Sequence, residues 1–162
     1  MTGAVTCFEH VVNEVPFTVR RRVKWSECDP AGVVYTAIFS EYVLSTTELF
    51  YSSLFGGPPQ SIKSAIDCGT PTRALAFDFQ RSLRPDDEFD MTVTVTDVRT
   101  HTFVLAIDAR TLAGDVVFHS TLTPICIGRG ERRRVAVPEL LRTKLERYRA
   151  DHAATRTPHG PA

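Results

Sequence analysis

The stretch Trp25-Ser26-Glu27-Cys28-Asp29-Pro30-Ala31-Gly32-Val33-Val34-Tyr35 decides the reading, because the hydrophobic period changes across it. Before it, Phe17, Val19, Val23 and Trp25 alternate with Thr18, Arg20, Arg22 and Lys24, the period of a half-buried strand. Arg21 interrupts the apolar face. Within it, Asp29-Pro30-Ala31-Gly32 predicts a turn, since proline fixes φ and glycine accepts a φ other residues avoid. After it, Phe39, Tyr42, Val43, Thr46, Leu49, Phe50 and Leu54 fall three or four apart. That is the stripe of a helix of about four to five turns. Gly56-Gly57-Pro58-Pro59 ends it, and a poorly patterned segment runs on to Cys68.

Working outward, four strand-like runs follow. Leu75, Phe77 and Phe79 alternate with Ala76, Asp78 and Gln80. Met91, Val93 and Val95 alternate with threonines 92, 94 and 96, whose β-branches suit an exposed strand face. Phe103, Leu105 and Ile107 make the third run, and residues 116–127 the fourth. Pro85-Asp86-Asp87, Arg99-Thr100-His101 and Gly114-Asp115 supply turns between them. Pro138 opens a last helix of about ten residues or more, with Leu140, Leu141, Leu145 and Tyr148 on its buried side. Residues 1–14 read as a loose lead-in, 15–149 as one domain, and the polar segment 150–162 as a disordered tail. Strand, long helix, consecutive strands and terminal helix predict an α+β fold, its mainly antiparallel sheet curved around the helix.

Composition narrows the function classes. The 162 residues are 43% hydrophobic, enough for one domain with a substantial core. Formal net charge is zero, so no global basic field draws in nucleic acid or an anionic membrane. No run of about eighteen apolar residues spans a bilayer, and no basic, then apolar, leader is apparent. Cys7, Cys28, Cys68 and Cys126 form no Cys-x-x-Cys pair and no zinc spacing. Reduced thiols in a cytoplasmic protein, with neither metal nor cofactor, are the expectation. There is no Gly-x-Ser-x-Gly, and only His101 and His119 lie well inside the domain, which argues against a serine hydrolase.

Asp29 is the residue with chemistry to offer. A carboxylate beside a helix start sits near N–H groups that lack intrahelical partners. Such a pair can attack, or activate water to attack, a polarised carbonyl. An ordinary N-cap is the other role of an Asp at this place. Glu27 reads first as a solvated loop acid, with a group that supports Asp29 from behind as the alternative. Cys28 reads as a packing residue, since no neighbouring base would activate its thiol.

The Cys28-Asp29-Pro30-Ala31-Gly32-Val33-Val34-Tyr35 run resembles the hotdog-fold acyl-CoA thioesterases, most closely the 4-hydroxybenzoyl-CoA thioesterase family. Gly69-Thr70-Pro71, Phe103 after the Arg99-Thr100-His101 turn, and Gly130-Glu131-Arg132 before Val137-Pro138 match in the same order. The resemblance implies hydrolysis of an acyl-CoA to a free acid and coenzyme A, by a homodimer or homotetramer with its sites at subunit interfaces. It implies Asp29 as nucleophile or general base, a carbonyl-polarising backbone N–H at Thr36, with that of Tyr35 beside it, and a water- or substrate-orienting hydroxyl at Thr70. Gly32 would let substrate approach the backbone, and Arg99 and His101 would meet the coenzyme A phosphates. The arginines at 129, 132, 133 and 134 are a denser cluster that could meet phosphates too. Leu44 stands where the hydroxybenzoyl enzyme has an acid near its acyl pocket. Leucine offers a phenol no polar contact, so another aryl group or a medium-length apolar chain is expected. Tyr35, Phe39, Tyr42 and Phe50 suit such a pocket and suit a helix core equally well. A carrier-protein thioesterase and a non-catalytic acyl-CoA-binding protein are the alternatives.

Overall fold

The computed structural model describes residues 7–156. β1 (Glu9–Glu14) and β2 (Phe17–Arg22) form a hairpin, followed by one turn of 3-10 helix at Trp25–Glu27. The long helix α1 (Ile38–Phe55) and the short α2 (Pro59–Ile66) come next. Then come β3 (Cys68–Gly69), β4 (Thr72–Phe79), β5 (Glu88–Val98), β6 (Phe103–Thr111), β7 (Val116–Pro124), β8 (Ile127–Gly128) and α3 (Glu139–Arg156). Six strands make one sheet in the order β1-β2-β5-β6-β7-β4, with every neighbouring pair antiparallel. β3 and β8 pair separately.

The alternation in β5 does what its sequence predicts. Phe89, Met91, Val93 and Val95 are buried while the intervening threonines face outward. Phe103, Leu105, Ile107 and Ala109 of β6 continue the apolar face. α1 lies on it through Phe39, Tyr42, Val43, Thr46, Thr47 and Phe50. Thr46 donates to the Met91 sulfur at 3.5 Å, and the Phe39 ring meets Phe118 of β7 at 5.6 Å. Gly56 closes α1 at φ +67, a left-handed conformation in which its N–H reaches the Ser52 carbonyl.

Several expectations are corrected. Residues 9–14 are a strand paired to β2 rather than a loose lead-in; the edge strand is largely exposed and so shows no apolar alternation. The segment to Cys68 contains α2, whose Pro59 occupies the first helical turn, where proline needs no N–H acceptor. α3 continues through residues 150–156, its last turns held by the buried His152, and 157–162 lie outside the described residues. Leu140 faces solvent, and Leu141, Leu145, Tyr148 and His152 form the buried stripe. Trp25 lies beyond the end of β2 in the 3-10 turn and is 85% exposed.

α3 seals the edge where β2 begins. β2 covers β5 only as far as Thr92. Just past that point, the Tyr148 hydroxyl donates to the Val93 carbonyl at 2.6 Å and accepts the Phe17 N–H at 2.8 Å. Burial pushes this phenol's pKa up to about 12. Tyr148→Phe is therefore expected to leave two buried backbone groups unpaired, at about 1–3 kcal/mol each. A thermal melt should show this as a fall of roughly 5–15 °C for a domain this size, with the fold retained.

Candidate active site

The Asp29 loop is built by backbone closure. The Asp29 N–H donates to the Val33 carbonyl and the Gly32 N–H to the Asp29 carbonyl, both at 2.9 Å. Gly32 has φ +78, and a Cβ there would meet no heavy atom within 4 Å, so backbone conformation alone calls for glycine. The Asp29 carboxylate accepts the Ala31 N–H through Oδ1 at 2.8 Å, an Asx turn, and no hydrogen bond within the described residues engages Oδ2. Asp29 is half-buried. Val34 anchors the loop's far side to the β4–β5 connection, donating to the Leu83 carbonyl at 2.9 Å.

The helix start was expected to present the N–H groups of Tyr35 and Thr36. The Tyr35 N–H is spent on the Glu27 carbonyl at 3.0 Å. Those of Ile38, Phe39 and Ser40 turn back to the carbonyls of Tyr35, Thr36 and Ala37. The N–H groups of Thr36 and Ala37 have no acceptor among the described residues. The segment from Asp29 to Ala37 therefore holds one carboxylate oxygen in the Asp29–Val33 turn and two backbone donors just before α1, all without a partner among the described residues.

Glu27 is not a solvated acid. Its side chain is 11% exposed. Oε1 accepts from Arg21 at 2.9 Å, and Oε2 accepts from the Tyr42 hydroxyl at 2.7 Å and the Lys24 N–H at 2.8 Å. Burial works against its charge, but the bonds from Tyr42, Lys24 and Arg21 win, holding its pKa below the usual carboxylate range. The same environment pushes the Tyr42 phenol far up, through burial first and the Glu27 carboxylate second. The sequence signal was Arg21 on the apolar face of β2, since a buried cation needs an acid. Cys28 has its thiol pKa raised by burial and by the charges of Glu27, Asp29 and Asp87, so it is no activated nucleophile.

The other expected site residues fall in two further places. Leu44 and Thr70 line one cavity of about 400 Å³ between α1, α2 and the start of β4, with Thr47, Tyr51, Ile62 and Leu122 among its walls. Burial raises the Tyr51 phenol, whose polar neighbour is Thr70. None of Asp29, Gly32, Tyr35 and Thr36 lines this cavity. Arg99 and His101 sit in the β5–β6 turn, with the Arg99 guanidinium paired to Asp97 at 2.7 Å. Arg142, beside the cavity-lining Leu141, donates to the Arg99 carbonyl at 2.7 Å, so the basic turn adjoins the cavity's α3 end. His101 Nδ1 is buried without a hydrogen-bond partner. Among the described residues no cluster of His, Cys, Asp and Glu could hold a metal ion, and no helix is long and apolar enough to cross a membrane.

One antiparallel sheet curved around one long helix is the hotdog fold, and a match to a thioesterase family model makes the chain a thioester hydrolase. The chain belongs to the thioesterase-like superfamily, whose family model matches residues 23–145. Solved structures agree in fold. A 1,4-dihydroxy-2-naphthoyl-CoA thioesterase from Synechocystis is 25% identical at a TM-score of 0.72, over 80% of this chain and 94% of that one. The 4-hydroxybenzoyl-CoA thioesterase of Pseudomonas sp. strain CBS-3 is 21% identical at 0.68, over 78% and 96%. A Staphylococcus aureus protein solved in complex with CoA is 16% identical at 0.78, over 98% and 94%. No curated protein matches the chain.

Proposed function

We propose that the protein hydrolyses an aryl- or medium-chain acyl-CoA to the free acid and coenzyme A, with Asp29 as nucleophile or general base. The observation that carries this reading is an Asp29 carboxylate with one oxygen unengaged, in the same short segment before α1 as the unpaired N–H groups of Thr36 and Ala37. A carbonyl oxygen received by those donors is polarised where negative charge develops in the transition state. The carboxylate then either bonds to the carbonyl carbon, expelling the thiolate and leaving an anhydride for water to open, or takes a proton from the attacking water. In both routes the C–S bond breaks and the thiolate leaves as coenzyme A.

The acyl group belongs in the cavity bearing Leu44 and Thr70, where Thr70 orients water or substrate. Its walls are mainly apolar, and Leu44 offers a phenol nothing to bond. Arg99 and His101 face the phosphates. Because the Asp29 loop and the cavity are separate within one chain, a complete site draws its cavity from a second copy. β4 supplies the joint: its outer edge pairs with no strand among the described residues, and its exposed Phe79 would be covered by a partner. The assembly is that dimer or a tetramer of two such dimers. The CoA-bound and acyl-CoA-hydrolysing proteins of the same fold favour this assignment.

A carrier-protein thioester is the second reading, favoured by the exposed arginines 129, 132, 133 and 134 beside β8, which would suit an acidic carrier. The test is thiol release from aryl, short-chain and medium-chain acyl-CoAs and from the same acyl groups on carrier protein. Rapid release from aryl- or medium-chain acyl-CoA is expected. Release only from carrier protein would replace coenzyme A in the assignment, and no release from any thioester would overturn it.

A further inference from the structure

We propose that Glu27 is a positioning residue for the active-site loop, fixing both Asp29 and the Thr36 and Ala37 donors from one point. The inference rests on the role given to those three residues above. Glu27 binds the rest of the molecule through three of its oxygens. Oε1 takes the guanidinium of Arg21 on β2. Oε2 takes the hydroxyl of Tyr42 on α1 and the Lys24 N–H that begins the 3-10 turn. Its backbone carbonyl takes the Tyr35 N–H, one residue before Thr36. The strand entering the loop, the helix leaving it and the backbone closing it therefore converge on a single residue.

The supporting network is larger than packing requires. Arg21, its side chain 10% exposed, also meets Glu9 of β1 at 2.9 Å and lies over the Tyr42 ring at 4.3 Å from its centre. Glu9 in turn accepts the Ser45 hydroxyl at 2.6 Å, so α1 is gripped at two successive turns. Buried ion clusters contribute little net stability compared with apolar residues of equal volume, because desolvation offsets their attraction. What this cluster supplies is direction. Each bond has a fixed geometry, and together they set the angle between β2 and the start of α1. Cys28, the residue after Glu27, bridges to Val34, so a displaced Glu27 carries the whole turn with it. Chemistry at a carbonyl is sensitive to such displacements, since a shift of about 1 Å costs rate on the order of 100-fold.

Glu27→Gln keeps the shape, removes the charge and turns an amide N–H₂ toward groups that are themselves donors. Hydrogen exchange and steady-state kinetics are measured on the full chain, parent and variant. Exchange at the Asp29 and Tyr35 amides should accelerate about tenfold or more, while the amides of β5, β6 and β7 keep their protection. Turnover should fall by roughly 10- to 100-fold in kcat, with KM within about threefold of the parent. Tyr42→Phe removes one donor and no charge, and gives a smaller change in the same two amides should Glu27→Gln fail to fold. Unchanged exchange at Asp29 and Tyr35, or equal acceleration across the whole sheet, would overturn the proposal. A parent protein inert to every thioester, with those two amides still loosened in Glu27→Gln, would uphold Glu27's placement and overturn the proposed function instead.

Discussion

Asp29→Asn is expected to lower thioester turnover by roughly 10²- to 10⁴-fold, the range a positioned acid or base contributes. The substitution isolates charge from shape. The Asp29 Oδ1 that accepts the Ala31 N–H at 2.8 Å is replaced by an amide oxygen that can accept the same bond. The closure of the loop by the Val33 and Gly32 contacts uses only backbone atoms of Asp29. The variant should therefore melt within about 2 °C of the parent, the change expected for less than 1 kcal/mol in a chain of this length. An amide neither attacks a thioester carbonyl nor takes a proton from water at neutral pH, so the loss belongs in kcat while KM stays close to the parent. Thr36→Ala makes the contrast: the proposed donor is the backbone N–H, which alanine retains, and activity should stay within about threefold. Equal losses in the two variants would place the chemistry on the Thr36 side chain; an unaffected Asp29→Asn would remove Asp29 from the reaction.

How far the site could be read before folding follows the distance over which each feature acts. The Asp29 turn is local: proline and glycine dictate its bends, and the bonds that Asp29 itself makes join residues within four positions. The stripe of α1 and the threonine alternation of β5 are local in the same sense, and both stand in the structure. Glu27 is not legible in the same way, because its meaning is not local. Its partners lie on β2 and α1, and only the fold brings Arg21 and Tyr42 to it. The Tyr35 N–H shows the same limit, since nothing in the sequence says that the Glu27 carbonyl claims it and leaves Thr36 and Ala37 as the unpaired donors. At the chain ends, β1 is an exposed edge with no core face to impose a period, and α3 runs past residue 149 because His152 finds cover over β5. Polarity alone reads as a tail there; burial of the single His152 side chain anchors those last turns.

Phe50→Ala is expected to destabilise the fold by about 3–5 kcal/mol, the usual cost of emptying a buried aromatic site. Phe50 is fully buried on α1 where three parts of the fold meet. Its ring lies 5.5 Å from Phe17 of β2 and 4.8 Å from Tyr148 of α3, tilted against the first and edge-on to the second. An edge-on aromatic pair adds roughly 0.5–1.5 kcal/mol to the burial itself, so losing the Tyr148 pair together with the Phe17 contact places the cost toward the upper end. The hole cannot close readily. Tyr148 is tethered by its hydroxyl to Phe17 and Val93, and Phe17 is held in the β2 ladder, so neither ring can swing into the space without giving up a hydrogen bond. Phe50→Leu fills most of the volume and should cost less than half as much, about 1–2 kcal/mol. Calorimetric melts at one protein concentration should show falls of roughly 6–20 °C for alanine and a few degrees for leucine. A small effect of alanine would mean that α3 and α1 slide together to refill the site. In that case the Tyr148 bonds should break with them, and combining Phe50→Ala with Tyr148→Phe should cost clearly less than the sum of the two singles.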